Sequence, residues 1–210
     1  MAFGKTQDQQ PMRRDAAQNR EQIIASARQL FTAQGVSETS MNQIAQAAGV
    51  GAGTLYRNFS HKGDLCLALL RDDLGAFRKQ VNGLLMAADA PDSALERLEL
   101  LVDKLLKMIE INIPLLIGMQ EAYAGDRRPD IYHSPYYQWL HESFSTLLQE
   151  AVERGEAAEL DICFTADALF AVTAPPLMVF QQQRGFERQR ILDGVRRLFI
   201  QGLMTKGDIA

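Results

Sequence analysis

Residues 40–59 constrain this chain most, because two short helical patterns flank a glycine there. Ser40 and Gln43 have the spacing of a capping box, in which each side chain bonds the backbone N–H of the other residue. Gly49 stands where the first helix must end, at a position suited to a positive φ. Residues 51–58 then form a second short pattern. Two short helices joined by a glycine turn predict a helix-turn-helix, whose second helix enters the major groove of DNA.

The second short helix separates apolar side chains from polar ones. Leu55 and Phe59, four residues apart, would anchor its inner face. The outward groups include a hydroxyl, a phenol, a guanidinium and an amide, which bind phosphate oxygens or base edges. On the local pattern alone, a plain helical hairpin with a polar outer face remains the alternative. The predicted DNA contacts are Thr39, Ser40, Gln43, Ala52, Gly53, Thr54, Tyr56, Arg57, Asn58 and Lys62.

Helices are also predicted on both sides of this motif. Asn19 can cap a helix that runs from Arg20 to about Gln34, and Gly35 would end it. A longer helix begins near Lys62. A cation in the first turn of a helix opposes the helix dipole, so we explain Lys62 by an external anion such as a phosphate.

A longer string of residues continues this pattern over about residues 17–77. Its members are Ala27-Arg-Gln-Leu30-Phe31, Gly35, Thr39-Ser40, Ile44-Ala45, Ala48-Gly49-Val50, Gly53-Thr54-Leu55-Tyr56, Phe59 and Lys62-Gly63-Asp64-Leu65. A chain with this string resembles the TetR family of transcriptional regulators. The resemblance implies an all-α homodimer of about nine helices, with an N-terminal three-helix helix-turn-helix domain and a C-terminal helical bundle for ligand binding and dimerisation. Two positions depart from the family pattern, since members often have Ser or Thr in place of Gly51 and His in place of Asn58.

We therefore divide the chain into three segments. Residues 1–16 are polar and lack apolar periodicity, so we expect a disordered arm. The DNA-binding domain is predicted over residues 17–77, and the ligand-binding and dimerisation domain over residues 78–210. The net charge of −4 is unevenly divided, with +3 on residues 1–62 and −7 on residues 63–210. The basic end can approach phosphate while the acidic remainder stays away from it.

Enzyme chemistry finds no support in the motifs. Cys66 and Cys163 are isolated in the sequence, which indicates neither a disulfide framework nor a metal site, although a thiol switch at Cys66 stays an alternative. His61, His133 and His141 show no metal-ligand spacing. We therefore expect no catalytic residue, no metal and no cofactor. The sequence also shows no signal peptide and no continuous apolar span, so a soluble cytoplasmic protein is expected.

Residues 78–210 show helical patterns and no strand pattern. Pro114 is expected to open a new helix at its first turn. The Pro175-Pro176 pair predicts a kink or break in its helix. Two apolar faces near the C-terminus would form the dimer contact, although they could instead close the monomer core. The predicted dimer residues are Leu169, Val172, Leu177, Phe180, Ile191, Val195, Leu198 and Leu203. The predicted ligand-binding residues, whose large side chains also suit an ordinary core, are Met108, Met119, Tyr123, Trp139, Phe144 and Phe170.

These patterns predict a sequence-specific DNA-binding transcriptional regulator. A dimer would place two recognition helices about 34–36 Å apart on a palindromic operator. The family resemblance implies a repressor that a small-molecule effector releases from DNA. The expected partners are thus double-stranded DNA, a second copy of the chain and the effector, with no membrane. Three alternatives stay open: an activator, a ligand-independent DNA-binding protein, and a ligand-binding or catalytic helical protein without a DNA role.

Overall fold

A computed structural model of the chain describes residues 9–88, 90–122 and 132–203, with the backbone alone for residues 9–14. Every regular element in these ranges is helical, which confirms the all-α prediction. The helices are α1 (Gln9–Gln34), α2 (Met41–Ala47), α3 (Ala52–Asn58), α4 (Lys62–Leu85), α5 (Ala94–Ala122), α6 (Pro135–Glu153), α7 (Ile162–Thr173), α8 (Pro175–Gln183) and α9 (Arg188–Val195), which continues as a π-helical segment over Arg196–Gln201. In these ranges no single helix has the length and apolar character to cross a membrane. Among the described helices, only the pair α7 and α8, bent by 41° at its break, reaches that length and apolar composition together.

The chain divides into two compact units. The first unit comprises Met1–Asp72 and Pro114–Arg128, and the second comprises Asp73–Ile113 and Pro129–Ala210. Two of the three division points therefore fall inside α4 and inside α5, and the third lies outside the described residues. We expected a single boundary near residue 77, and sequence spacing gave no sign that the end of α5 groups with the N-terminal helices.

The core of the first unit explains this grouping. Ile23 of α1, Ile44 of α2, Leu55 of α3 and Leu65 of α4 are fully buried in one cluster. Met119 of α5 packs against the same cluster and is itself partly buried. Each large apolar side chain that leaves water here contributes about 1.5–3 kcal/mol, so the helix-turn-helix is held on a core that includes the end of α5.

The second unit has its own core and its own ion pairs. Phe144 of α6 and Phe170 of α7 are buried, and α6 and α7 pack closely against each other. Arg97 of α5 donates a hydrogen bond to Glu150 of α6. That bond, with a further one from Arg154, holds the pKa of the Glu150 carboxyl below its ordinary value. Burial of aromatic rings and a charge-assisted contact therefore both join the helices of this unit.

Two helix limits differ from the prediction and one agrees with it. α1 begins at Gln9, so residues 9–16 are helical rather than part of a disordered arm, and Asn19 lies inside the helix instead of capping it. The Gln, Arg and Ala residues of this stretch favour helix, which outweighs the missing apolar stripe. α5 continues through Pro114, which we expected to open a new helix. The break at Pro175 is confirmed, because α7 ends before it and α8 begins at it.

Candidate nucleic-acid interface

The turn between α2 and α3 has the geometry that its sequence predicts. The Ser40 backbone N–H donates to Gln43 Oε1 at 2.8 Å, and the Gln43 N–H donates to Ser40 Oγ at 3.2 Å. This reciprocal pair is the capping box that begins α2. Gly49 has a φ of +66°, a conformation that L side chains rarely adopt. The chain therefore turns sharply after α2 and enters α3 at Ala52.

α3 buries one side and exposes the other. Leu55 is fully buried, and Phe59 just after the helix is also buried. Ala52, Tyr56 and Arg57 are exposed, with half of the Tyr56 side chain open to solvent. A short helix fixed by an apolar anchor thus presents a phenol and a guanidinium outward, where they can bind phosphates or base edges.

Gly53 extends this outer face without adding a side chain. A Cβ placed on Gly53 would meet no other atom within 4 Å, so packing inside the protein does not require glycine there. Glycine in a helix costs up to about 1 kcal/mol relative to alanine. The bare backbone instead leaves room for close approach by another molecule.

The polar side chains at the end of α3 bond back to their own helix. Arg57 Nη2 donates to Thr54 Oγ1 at 3.2 Å, and Asn58 Nδ2 donates to the Thr54 carbonyl oxygen at 2.8 Å. A guanidinium has five N–H donors, so the exposed Arg57 keeps donors for a base or a phosphate. The half-buried Asn58 has one of its two amide N–H groups committed to the helix.

Two more of the predicted DNA contacts, Thr39 and Lys62, bond to backbone carbonyls of residues 35–37. Thr39 is 1% exposed, and its hydroxyl donates to the Gly35 carbonyl oxygen at 2.7 Å. Lys62 Nζ donates to the carbonyl oxygens of Val36 and Ser37 at 2.8 and 3.1 Å. These carbonyls explain a cation at the start of α4, so an external anion is no longer needed for that purpose. The ammonium retains one N–H for a phosphate.

A cleft of about 440 Å³ lies in the first unit, beside these elements. Its lining includes Met41 of α2, Tyr56 of α3, Lys62 of α4 and Glu121 of α5. None of the predicted ligand-binding residues that the structure describes lines it. The cleft therefore belongs to the helix-turn-helix unit and differs from the ligand pocket that the sequence suggested.

The predicted ligand-binding residues are divided between the two units. Met119 belongs to the first unit, and Met108 is half-buried in the second. Tyr123 lies outside the described residues. The remaining three are buried aromatic residues of the second unit, namely Trp139, Phe144 and Phe170. The Phe170 ring packs edge-on against the half-buried Tyr137 with 4.8 Å between centroids.

The predicted dimer residues differ in burial, and only some of them are exposed. Phe180 and Leu198 are 52% and 70% exposed, and Phe164, which is not among the predicted residues, is 71% exposed. Three of the predicted residues are half-buried, namely Val172, Leu177 and Leu203. Three others are buried inside the second unit and are not available to a partner, namely Leu169, Ile191 and Val195. The buried residues on the inner faces of these helices belong to the core of the monomer. Helical periodicity alone could not distinguish such a core face from an apolar face that meets a partner.

One cluster of three polar side chains was not predicted from the sequence. His141 of α6 lies beside Cys163 and Asp167 of α7, and one donor atom from each falls within 4.8 Å of the other two. The local signal was the four-residue spacing of Cys163 and Asp167, which places both on one helical face. His141 comes from a different helix, so sequence spacing could not join it to them.

Comparison with known proteins identifies the family. The model for bacterial regulatory proteins of the tetR family matches residues 23–69, the range that contains α2 and α3. An HTH-type transcriptional regulator of Staphylococcus aureus is 36% identical over 138 residues, which cover 66% of this chain and 71% of that protein. The chain belongs to the TetR family. Because the relatives of this TetR-family chain are transcriptional regulators, the predicted function as a DNA-binding transcriptional regulator is confirmed.

Solved structures share the fold of this TetR-family chain. A TetR-family transcriptional regulator from Pectobacterium atrosepticum has a TM-score of 0.69 at 22% identity, covering 92% of this chain and 98% of the other. FadR from Bacillus subtilis, solved in complex with stearoyl-CoA, has a TM-score of 0.62 at 21% identity, covering 87% and 98%. At these identities the likeness establishes the fold alone.

Proposed function

We propose that this TetR-family chain is a dimeric repressor that binds a palindromic operator and leaves it when a small apolar molecule binds the second unit. The observation that carries the proposal is the outer face of α3. Tyr56 and Arg57 are exposed there while Leu55 is buried, and the backbone at Gly53 is open. Acting on an operator places the protein in the cytoplasm.

Contacts to DNA are proposed in two sets. The phosphate contacts are Thr54, Tyr56 and Lys62. The residues near base edges are Ala52, Arg57 and Asn58. Arg57 contributes most to sequence preference, since a guanidinium can bond two acceptors of guanine at once and each such pair is worth about 1–3 kcal/mol. The exposed side chains of Ser40 and Gln43 lie at the start of α2, where they can help to position the duplex.

Dimerisation is proposed through the second unit. Phe164, Phe180 and Leu198 are large apolar side chains that stay mostly exposed in one copy of the chain. A second copy related by a two-fold axis would bury all three on both sides. The same axis would relate two copies of α3, and half-sites one helical turn apart need a separation of about 34–36 Å. A palindromic operator follows from that symmetry.

The effector is proposed to be apolar because aliphatic and aromatic side chains fill the interior of the second unit. FadR from Bacillus subtilis, with stearoyl-CoA, and a gamma-butyrolactone receptor share this fold and support a small-molecule effector. α4 and α5 each contain residues of both units, so either helix can transmit a change between them. An effector that prefers one conformer of the second unit would then shift the population of α3 conformers that fit DNA.

A pair of glycine variants tests the DNA contact. Gly53 and Gly75 are both exposed helical glycines whose added Cβ would meet nothing within 4 Å. Gly53→Ala and Gly75→Ala should each keep or raise the free energy of unfolding, by up to about 1 kcal/mol. Only Gly53→Ala should lose operator affinity, by about tenfold for one lost contact of 1.4 kcal/mol. Operators are first selected from genomic DNA fragments, and affinity is measured by fluorescence anisotropy.

One outcome would contradict the proposed DNA contact. Equal operator affinity for Gly53→Ala and Gly75→Ala would contradict close approach of DNA to α3.

The apolar effector is tested separately, with stearoyl-CoA and a gamma-butyrolactone as probes. A fall in operator affinity with either one supports release by a molecule with an apolar part, whereas no response to either would exclude these two ligand types as effectors and leave the DNA contact standing.

A further inference from the structure

Three side chains with metal-binding atoms meet on the surface of the second unit. His141 Nε2 lies 3.4 Å from Asp167 Oδ1 and 3.9 Å from Cys163 Sγ. The three donor atoms lie within 4.8 Å of one another. Cys163 and Asp167 are exposed and His141 is half-buried, so an ion can enter directly from solvent.

The separations suit a tetrahedral metal ion. Zinc binds imidazole nitrogen and carboxylate oxygen at about 2.0–2.1 Å and thiolate sulfur at about 2.3 Å, usually with tetrahedral geometry. Two ligand atoms on such an ion stand about 3.3–3.6 Å apart, by the geometry of these bond lengths. The observed 3.4 Å matches this spacing, and rotation of the exposed Cys163 and Asp167 side chains can close the 3.9 Å contact and the third separation, which is at most 4.8 Å.

Neighbouring polar groups support the proposed ligands. Ser145 Oγ lies 3.5 Å from His141 Nδ1, where it can accept the ring N–H and leave Nε2 as the lone-pair donor. The Tyr137 hydroxyl donates to Asp167 Oδ1, which fixes the carboxylate. Outer groups of this kind orient the ligands in known metal sites. A simple His–Asp ion pair would involve only two of the side chains, whereas the Cys163 thiol also lies beside the same imidazole nitrogen.

We propose that His141, Cys163 and Asp167 bind one Zn²⁺ ion, with water or a small anion in the fourth position. The set combines nitrogen, sulfur and oxygen donors, which zinc accepts because it is a borderline-soft ion. On binding, the Cys163 thiol gives its proton to solvent and the sulfur forms the bond to zinc. Thiolate and carboxylate together then balance the charge of the ion. The ion would join α6 to α7, and this site does not depend on the proposed role as a repressor.

The test uses the full-length protein after treatment with a chelator. Zinc is titrated in competition with a chromophoric chelator, and one equivalent should bind. Cys163→Ala and His141→Ala should each weaken binding by more than about 100-fold, since even an outer partner is worth about 10–100-fold. Ser145→Ala should weaken it by about tenfold. Glu142→Gln changes an exposed acid of α6 outside the cluster and should bind zinc like the unmodified chain.

Cobalt(II) provides a second readout that reports the sulfur directly. The cobalt form should show a thiolate-to-cobalt charge-transfer band, which Cys163→Ala abolishes and Cys66→Ala retains. Circular dichroism of the metal-free variants confirms that each is folded. The proposal is overturned if no equivalent of zinc binds, if Cys163→Ala binds it as tightly as the unmodified chain, or if bound cobalt lacks the thiolate band.

Discussion

The outer face of α3 and the interior of the second unit are specified by the sequence in different ways. In α3, the side that each residue occupies follows from helical spacing, so Leu55 lies inside while Tyr56 and Arg57 lie outside. In the second unit, neighbours come from distant parts of the chain, as when the rings of Phe77 and Trp139 pack 5.8 Å apart. A surface on one short helix can therefore be inferred from sequence, whereas a pocket shared by several helices cannot.

The largest expected effect tests whether the second unit has a filled core or a pocket at Phe144. This side chain is fully buried, so Phe144→Ala should lower the free energy of unfolding by about 3–5 kcal/mol. Met86 is 88% exposed, and Met86→Ala should change it by less than about 0.5 kcal/mol. Urea unfolding at one protein concentration measures both. A loss below about 1 kcal/mol for Phe144→Ala would instead indicate that the ring borders a void able to accept a ligand.

A smaller effect on the free energy of unfolding tests whether Lys62, at the start of α4, stabilises the fold as well as contacting DNA. Lys62→Met removes the donor for the carbonyl oxygens of Val36 and Ser37, so the free energy of unfolding should fall by about 1–2 kcal/mol. Tyr56→Phe, at an exposed position of α3, should change it by less than about 0.5 kcal/mol.

Operator binding over a range of salt concentrations completes the comparison of Lys62 with Tyr56. If the third ammonium N–H of Lys62 binds a phosphate, the salt slope of Lys62→Met falls by about one. Tyr56→Phe removes no charge, so it should weaken binding without changing that slope. Unchanged stability of Lys62→Met would mean that the two carbonyl contacts contribute nothing, and the internal explanation for this cation would be wrong.

The sequence predicted those parts of the site that depend on neighbours along the chain. The capping box of Ser40 and Gln43 and the turn at Gly49 each need only local spacing. The sequence did not predict the partners of Lys62, because the carbonyls come from a turn 25 and 26 residues earlier. The contact between His141 and Cys163 of α7 was not predicted either, because the two residues lie on different helices. Spacing fixes the face that a residue occupies, but only long-range packing decides what that face meets.

The two cysteines give the smallest expected change and the sharpest contrast between the units. Burial raises the pKa of the Cys66 thiol to about 11, whereas Cys163 is exposed. The thiolate is the form that alkylating reagents attack. Iodoacetamide at about pH 8 should therefore modify Cys163 and leave Cys66 intact, which mass spectrometry of the digested protein would detect. Urea should expose both thiols to the reagent.

The raised pKa of Cys66 also sets the direction of a pH effect. Its ordinary value is 9.0, so above that pH the unfolded thiol ionises while the folded thiol keeps its proton until about pH 11. Unfolding then gains from ionisation, and the free energy of unfolding should fall across this window. Cys66→Ala should remove this part of the pH dependence, while Cys163→Ala should retain it. If the native chain instead reacts at Cys66 as fast as at Cys163, the core beneath α3 opens readily, and the rigid support we infer for the DNA-facing helix is wrong.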